Sequence, residues 1–275
     1  SSSHRERLGR PHDPGDDVSR PARDHHPLSA TSRDRDGSTA APDSEDPTNR
    51  RRLDRSILGL AVPALGALVA EPLLVLVDSV MVGHLGATSL AGLSLASTVL
   101  TTLVGLFVFL AYATTATTAR LFGAGDRAGG LRAGIDGLWL ALLLGVGTAI
   151  ILEASAPALV GALGAQGAVA DAATAYLRAS APGLPGMLAV LASTGTLRGL
   201  LDTRTPFVVA TAGAVLNATL NAVLLYGVGM GIAGSGLGTA LAQTAMALAL
   251  ARPIARAARG AGVPLRPHRA GIGAS

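Results

Sequence analysis

The run Glu71-Pro-Leu-Leu-Val-Leu-Val-Asp78-Ser-Val-Met-Val-Gly-His-Leu-Gly86 decides the reading of this chain. It is apolar enough to lie in a bilayer, yet it carries two carboxylates. Glu71 and Asp78 are seven residues apart, close to two helical turns, so they share one face of a helix. An ionisable group at the centre of a membrane helix costs about 3 kcal/mol on insertion scales. A segment serving only as an anchor has little reason to carry that cost twice. The pair reads first as a proton or cation site facing a polar cavity, and more plainly as a polar contact across a helix interface.

Working outward, the chain divides into six apolar spans: Ile57–Met81, Leu90–Ala119, Leu131–Leu152, Ala172–Leu197, Pro206–Tyr226 and Ile232–Leu250. Each is near or above the ~20 residues a helix needs to cross a bilayer. The predicted fold class is an all-α polytopic membrane protein, a six-transmembrane-helix bundle.

Arginine placement tests this count. Arg50, Arg51, Arg52 and Arg55 precede the first span, and Arg120, Arg127 and Arg132 separate the second from the third. Arg198 and Arg204 separate the fourth from the fifth, and Arg252, Arg256, Arg259, Arg266 and Arg269 follow the sixth. The three connections near Gly83–Ser89, Glu153–Asp171 and Gly227–Gly231 carry no Arg. That alternation is what the positive-inside rule predicts for six spans with both ends cytoplasmic in a cell (plasma or inner) membrane. Arg178, early in span four, is the one exception.

Residues 1–50 are polar, with ten of the eighteen acidic residues and four of the six His. Such a segment cannot bury enough apolar surface to fold and is expected to be disordered. Its His25-His26 pair reads as part of a solvated tail rather than a metal site, and it has no apolar core of the kind a secretory signal carries. Residues 51–252 form the expected six-helix lobe, and 253–275 a basic cytoplasmic loop.

The composition excludes several classes. There is no Cys, so no disulfide, thiolate nucleophile or zinc-thiolate centre is available. All 22 basic residues are Arg, and the net charge is +4. They sit in short loops rather than on one surface, and aromatic residues make up 3% of the chain, too few for base-stacking platforms. No nucleic-acid partner is expected.

Polar residues inside the spans are the remaining candidates. Asn217 and Asn221 form an i, i+4 pair on span five, and Gln243 lies on span six. Amides at depth can bond a protonatable carboxylate or coordinate a cation, or can simply tie two helices together. Seven threonines on span two fit close helix packing. Pro63, Pro72, Pro182 and Pro185 fall inside spans and can kink them.

Other motifs carry less. Gly229-Met-Gly231-Ile-Ala-Gly234 matches a dinucleotide fingerprint but follows no strand, and reads as a turn between spans five and six. Asn217-Ala-Thr219 matches a glycan acceptor but lies inside an apolar run. Gly123-Ala-Gly-Asp-Arg127 lacks the Lys-Ser/Thr ending of a phosphate loop. Ser235 within Gly234-Ser-Gly236, paired with His84, is a serine-hydrolase reading that nothing else supports. No enzyme activity is expected.

Three motifs carry a family resemblance. The Glu71–Gly86 run resembles the first-helix signature of multidrug and toxic compound extrusion (MATE) transporters, most closely the DinF branch. Leu197-Arg-Gly-Leu-Leu-Asp-Thr-Arg-Thr-Pro206 is similar to the family's turn between helices four and five. Leu216-Asn217-Ala-Thr-Leu-Asn221, with the glycine-rich turn after it, is similar to the fifth helix. The resemblance runs from about Arg52 to the C-terminus. It implies an antiporter that exports organic, often cationic, compounds against an H⁺ or Na⁺ gradient. It implies no cofactor beyond that coupling ion.

The resemblance further implies that Asp78, with Glu71 nearby, carries the coupling proton or cation. Asn217, Asn221, Tyr176 and Gln243 would line the substrate or cation cavity. Asn221 stands where many relatives have an aspartate, so the charge falls to Asp78 or Glu71. Family members have two six-helix lobes, and this chain carries one. It is therefore expected to be a truncated form, or a half-transporter that pairs with a second lobe or a second copy in the lipid bilayer. The alternatives are a non-transporting bundle or remnant that binds a partner, and a flippase for a lipid-linked substrate, for which Arg178 is thin support.

Overall fold

The computed structural model describes residues 76–267. Glu71, the polar tail, Pro63, Pro72 and most of the first span lie outside the described residues.

Among the described residues every regular element is helical. Helix α1 is described over residues 76–83. It is followed by α2 (Ala87–Phe107), α3 (Phe109–Gly123), α4 (Arg127–Ala162), α5 (Gly167–Ser180), α6 (Leu184–Gly199), α7 (Arg204–Ala222) and α8 (Ile232–Gly260). Four stretches are long and apolar enough to cross a membrane: Ala87–Gly123, Arg127–Ala162, Arg204–Gly227 and Ile232–Gly260. The fold is that of an all-α polytopic membrane bundle.

Span two is α2 and α3 in near continuity, loosened only at Val108, which keeps helical angles of φ −58° and ψ −24°. Span four is different, because it is not one helix. Its two halves, α5 and α6, have 14 and 16 residues and are joined by a 3-10 turn, Ala181–Gly183. Pro182 and Pro185 cause the break, since each lacks the N–H that would continue the helical ladder. Span five ends in a π-turn, Val223–Gly227.

Helices α4 and α8 overrun the apolar spans read from sequence. Each carries a proline in its extension, Pro157 in α4 and Pro253 in α8. Beyond α8 the chain turns back at Gly262 (φ +69°), a left-handed position that suits glycine. Val263 is then buried among Leu131, Ile135, Leu197, Leu250 and Ile254, and the Trp139 indole N–H donates to the Leu265 carbonyl at 2.9 Å.

Helix α6 lies against α3, α4 and α8, while α8 also packs on α5 and α7. The second contact positions the site, and glycine makes it possible. A Cβ on Gly236 would stand 2.6 Å from the Tyr176 carbonyl oxygen on α5, and one on Gly238 would run into the Asn221 side chain on α7. Larger residues there would hold α8 away from both neighbours. We expect Gly236→Ala to lower the thermal unfolding midpoint, with a cost of about 1–3 kcal/mol for overpacking. Gly147→Ala on α4, where a Cβ meets nothing within 4 Å, should be neutral or mildly stabilising. Equal behaviour of the two variants would contradict this packing account.

Candidate functional site

Asp78 lies on α1, in the part of the molecule where α1, α7 and α8 meet. Asn221 Nδ2 on α7 donates to its Oδ1 at 2.8 Å. Ser235 Oγ on α8 donates to the same oxygen at 2.6 Å. Both donors are fully buried and both are neutral. No ion pair to Asp78 is found among the described residues. Among the described residues the carboxyl is thus held by dipoles and not by a countercharge.

The amide geometry follows from this. An ionised carboxylate only accepts, so Asn221 must turn its nitrogen toward Asp78. The second hydrogen of that nitrogen reaches Asn217 Oδ1 at 3.4 Å, one turn earlier on α7. Asn217 Nδ2 in turn donates to Thr239 Oγ1 at 3.1 Å. The Asn221 Oδ1 atom is left buried beside Gly238 with no hydrogen-bond partner among the described residues. An unsatisfied buried acceptor of this kind costs about 1–3 kcal/mol.

Tyr176 on α5 closes the cluster from a third side. It is buried, and its phenol stands beside Ser235 and Thr239 and near Asp78. Gln243 lies on the α8 face shared by Ser235 and Thr239, two turns beyond Ser235. Its Oε1 is buried without a hydrogen-bond partner among the described residues. The structure therefore brings Asp78, Asn217, Asn221 and Tyr176 together and places Gln243 at the edge of the group. Glu71 lies outside the described residues.

Sequence reasoning missed three members. Ser235 was weighed as a nucleophile with His84, but it serves as a donor to Asp78. His84 Nδ1 instead meets the Val80 carbonyl at 2.7 Å on its own helix. Thr239 follows Ser235 by four residues, and that i, i+4 spacing was the available signal. Tyr226 donates its hydroxyl to the Met81 carbonyl at 2.6 Å and pins the end of α1 to the turn after α7. Arg178, the exception to the arginine pattern, is not in this cluster; it meets Glu153 on α4.

A neighbouring face of α1, at Ser79, borders a cavity of about 630 Å³ shared with α2. Ser79, Ser94, Ser97, Thr98, Thr101 and Thr102 line it together with Leu90 and Leu93. Thr98 and Thr102 donate to carbonyls of their own helix, which leaves hydroxyl lone pairs available to a ligand. This cavity is distinct from the Asp78 cluster. Asp78 and Ser79 are adjacent on α1, about 100° apart around the helix, so neighbouring faces of one helix border the two.

Among the described residues no group of three His, Asp or Glu side chains forms a transition-metal centre. The atoms gathered around Asp78 are carboxylate, amide and hydroxyl groups, whose oxygens are hard donors.

Comparison with known proteins bears on the family and the fold. The family model MatE matches residues 63–223. The chain is 33% identical over 196 residues to Protein DETOXIFICATION 44, chloroplastic, of Arabidopsis thaliana, covering 67% of this chain and 38% of that protein. It is 31% identical over 183 residues to DNA damage-inducible protein F of Escherichia coli (strain K12), covering 66% of this chain and 40% of that protein. A solved MOP superfamily transporter from Pyrococcus furiosus superposes with a TM-score of 0.69 at 26% identity, over 79% of this chain and 49% of that one. The chain thus spans about two-fifths of the length of these two relatives and about half that of the solved transporter. With the motifs, the helical bundle and a family model matched over most of the described lobe, the chain belongs to the MatE family of multi-pass membrane transporters.

Proposed function

We propose that the chain is one lobe of a cation-coupled antiporter that exports small organic, often cationic, compounds, with Asp78 as the coupling residue. One observation carries this: a membrane-helix carboxylate whose bonding partners are two buried neutral donors. Charge balance in such a site has to come from an ion that arrives and leaves, either H⁺ or Na⁺. The whole transporter would comprise this lobe and a second one, supplied in cis or by a second copy. Repeat-built transporters place their pathway between two such units. The arginine alternation supports an orientation with both termini cytoplasmic, in a plasma or inner membrane on this reading. The domain division follows the same reading: a polar tail over 1–50, the lobe over 51–252 and a basic connection over 253–275.

The hydrogen-bond network suggests how ion binding would be felt. A protonated Asp78 needs an acceptor for its new O–H. The buried Oδ1 of Asn221 is unpartnered, and a flip of that amide would present it to Asp78. The flip would also break the contact between Asn221 and Asn217. A sodium ion would use the Asp78 and Asn217 oxygens, and would need the same Asn221 flip to gain a third. Either event changes what holds α1 against α7 and α8. Because Ser79 follows Asp78, the same motion of α1 would reshape the hydroxyl-lined cavity on its adjoining face.

Uncharged hydroxyl acceptors suit an organic cation, whose N–H groups donate. A flippase for lipid-linked substrates is less well supported, because Arg178 lies away from the Asp78 cluster.

Two tests follow, both on the complete two-lobe transporter in proteoliposomes with imposed gradients. Asp78→Asn should abolish gradient-driven efflux of a fluorescent cation while the protein still inserts and folds. Full efflux in that variant would reject the coupling role. A loss confined to Glu71→Gln would move that role two turns along the helix. Ser235→Ala should retain efflux but shift the half-saturating coupling-ion concentration by about tenfold, as expected for losing one charge-assisted hydrogen bond. An unshifted curve would remove Ser235 from the site.

A further inference from the structure

Arg178 breaks the charge pattern of the chain, and the structure gives a reason for its position. Glu153 lies four residues before Pro157 in α4. Proline has no N–H, so the Glu153 carbonyl loses its helical partner. Arg178 Nε on α5 donates to that carbonyl at 3.4 Å and stands 3.6 Å from Glu153 Oε1. Both contacts use Nε, so the pair does not engage the two terminal guanidinium nitrogens. Both side chains are about half exposed, at 48% and 54%. An exposed pair of this kind adds little stability by itself.

Below the pair is a cavity of about 510 Å³. It is lined by Ala149, Ile150, Ala154, Ala181 and Pro182, with Glu153 as its one charged member. Ala149 and Ile150 lie one turn deeper on α4 than Glu153, and Ala181 and Pro182 follow Arg178 toward α6. The apolar part therefore runs from the charged pair into the span. The surrounding α4 surface is open and aliphatic: Ile150 is 65% exposed and Ile151 67%.

The depth along α4 sets the environment. At 1.5 Å per residue, Glu153 is roughly 30–40 Å along the helix from Arg132 and Arg127. That is about one hydrocarbon thickness, with those arginines at the opposite boundary. Glu153 also directly follows the apolar span Leu131–Leu152. The charged pair thus sits at headgroup depth and the apolar cavity at acyl-chain depth.

From this we infer that the α4–α5 groove is a binding site for a zwitterionic aminophospholipid, with phosphate on the free end of the Arg178 guanidinium, ammonium on Glu153 and an acyl chain against Ile150, Ala181 and Pro182. A zwitterion inserts into the ion pair so that every charge keeps an opposite neighbour. An anionic headgroup would meet Arg178 but face Glu153 unfavourably. In the orientation proposed above, the site belongs to the outer leaflet. It holds lipid as a bound ligand and does not depend on the transport reading.

The test is native mass spectrometry of the full chain, delipidated in detergent and titrated with phosphatidylethanolamine or phosphatidylglycerol. Helical content is monitored by circular dichroism. Phosphatidylethanolamine should bind at about tenfold lower concentration than phosphatidylglycerol, and Arg178→Gln should lose about that factor. Ile150→Trp, at a lipid-exposed position, should fill the groove and weaken binding while leaving the ion pair and the helical content intact. Unchanged phosphatidylethanolamine binding in both variants would overturn the inference. So would a preference for phosphatidylglycerol, or a chain dimer that dissociates on Ile150→Trp and so assigns the groove to a second copy.

Discussion

The two hydrogen bonds on Asp78 Oδ1 are the constraint to which the rest of the described structure answers. They come from residues 143 and 157 positions away in the chain. Both donors have to be buried, and both have to reach one oxygen. That requires α7 and α8 to meet α1 at a single depth. The glycines of α8 permit this approach, and Tyr226 on the Met81 carbonyl fixes the end of α1 beside it. Among the described residues the carboxylate is held by neutral dipoles. A strong countercharge such as arginine would have held it permanently ionised.

The bundle is built so that one helix is shared by two polar environments. On one side of α1 lie the amides and hydroxyls around Asp78. On the adjoining face, at Ser79, lies the Ser- and Thr-lined cavity with α2. The described part of α1, residues 76–83, borders both environments. A second set of contacts ties down the segment after α8. The Trp139 bond to the Leu265 carbonyl and the burial of Val263 fasten the segment after α8 onto α4.

Much of this was legible from sequence, for a physical reason. In an apolar run each polar residue is conspicuous, and helical spacing shows which of them share a face. Asp78, Asn217 and Asn221 were readable in that way, and Tyr176 through the family resemblance. Ser235 and Thr239 were hidden because hydroxyl residues are common in such helices and are usually explained by packing. Their role depends on contacts between α8, α5 and α1 that no local pattern encodes. Span four read as one helix, and its break at Pro182 and Pro185 shows how two closely spaced prolines outweigh a continuous apolar pattern. Arg178 stood out as a violation of the charge rule. Its partner became visible only once Pro157 was seen to free the Glu153 carbonyl on a neighbouring helix.

The central claim is that the Asp78 carboxyl itself takes up the coupling ion. Infrared difference spectroscopy of the reconstituted transporter, between ion-free and proton- or sodium-loaded states, tests it most directly. The account predicts a change in carboxyl bands, either a protonated C=O stretch or a shift of the carboxylate pair, that disappears in Asp78→Asn. A spectrum in which the same bands persist in that variant would place ion binding elsewhere and contradict the account.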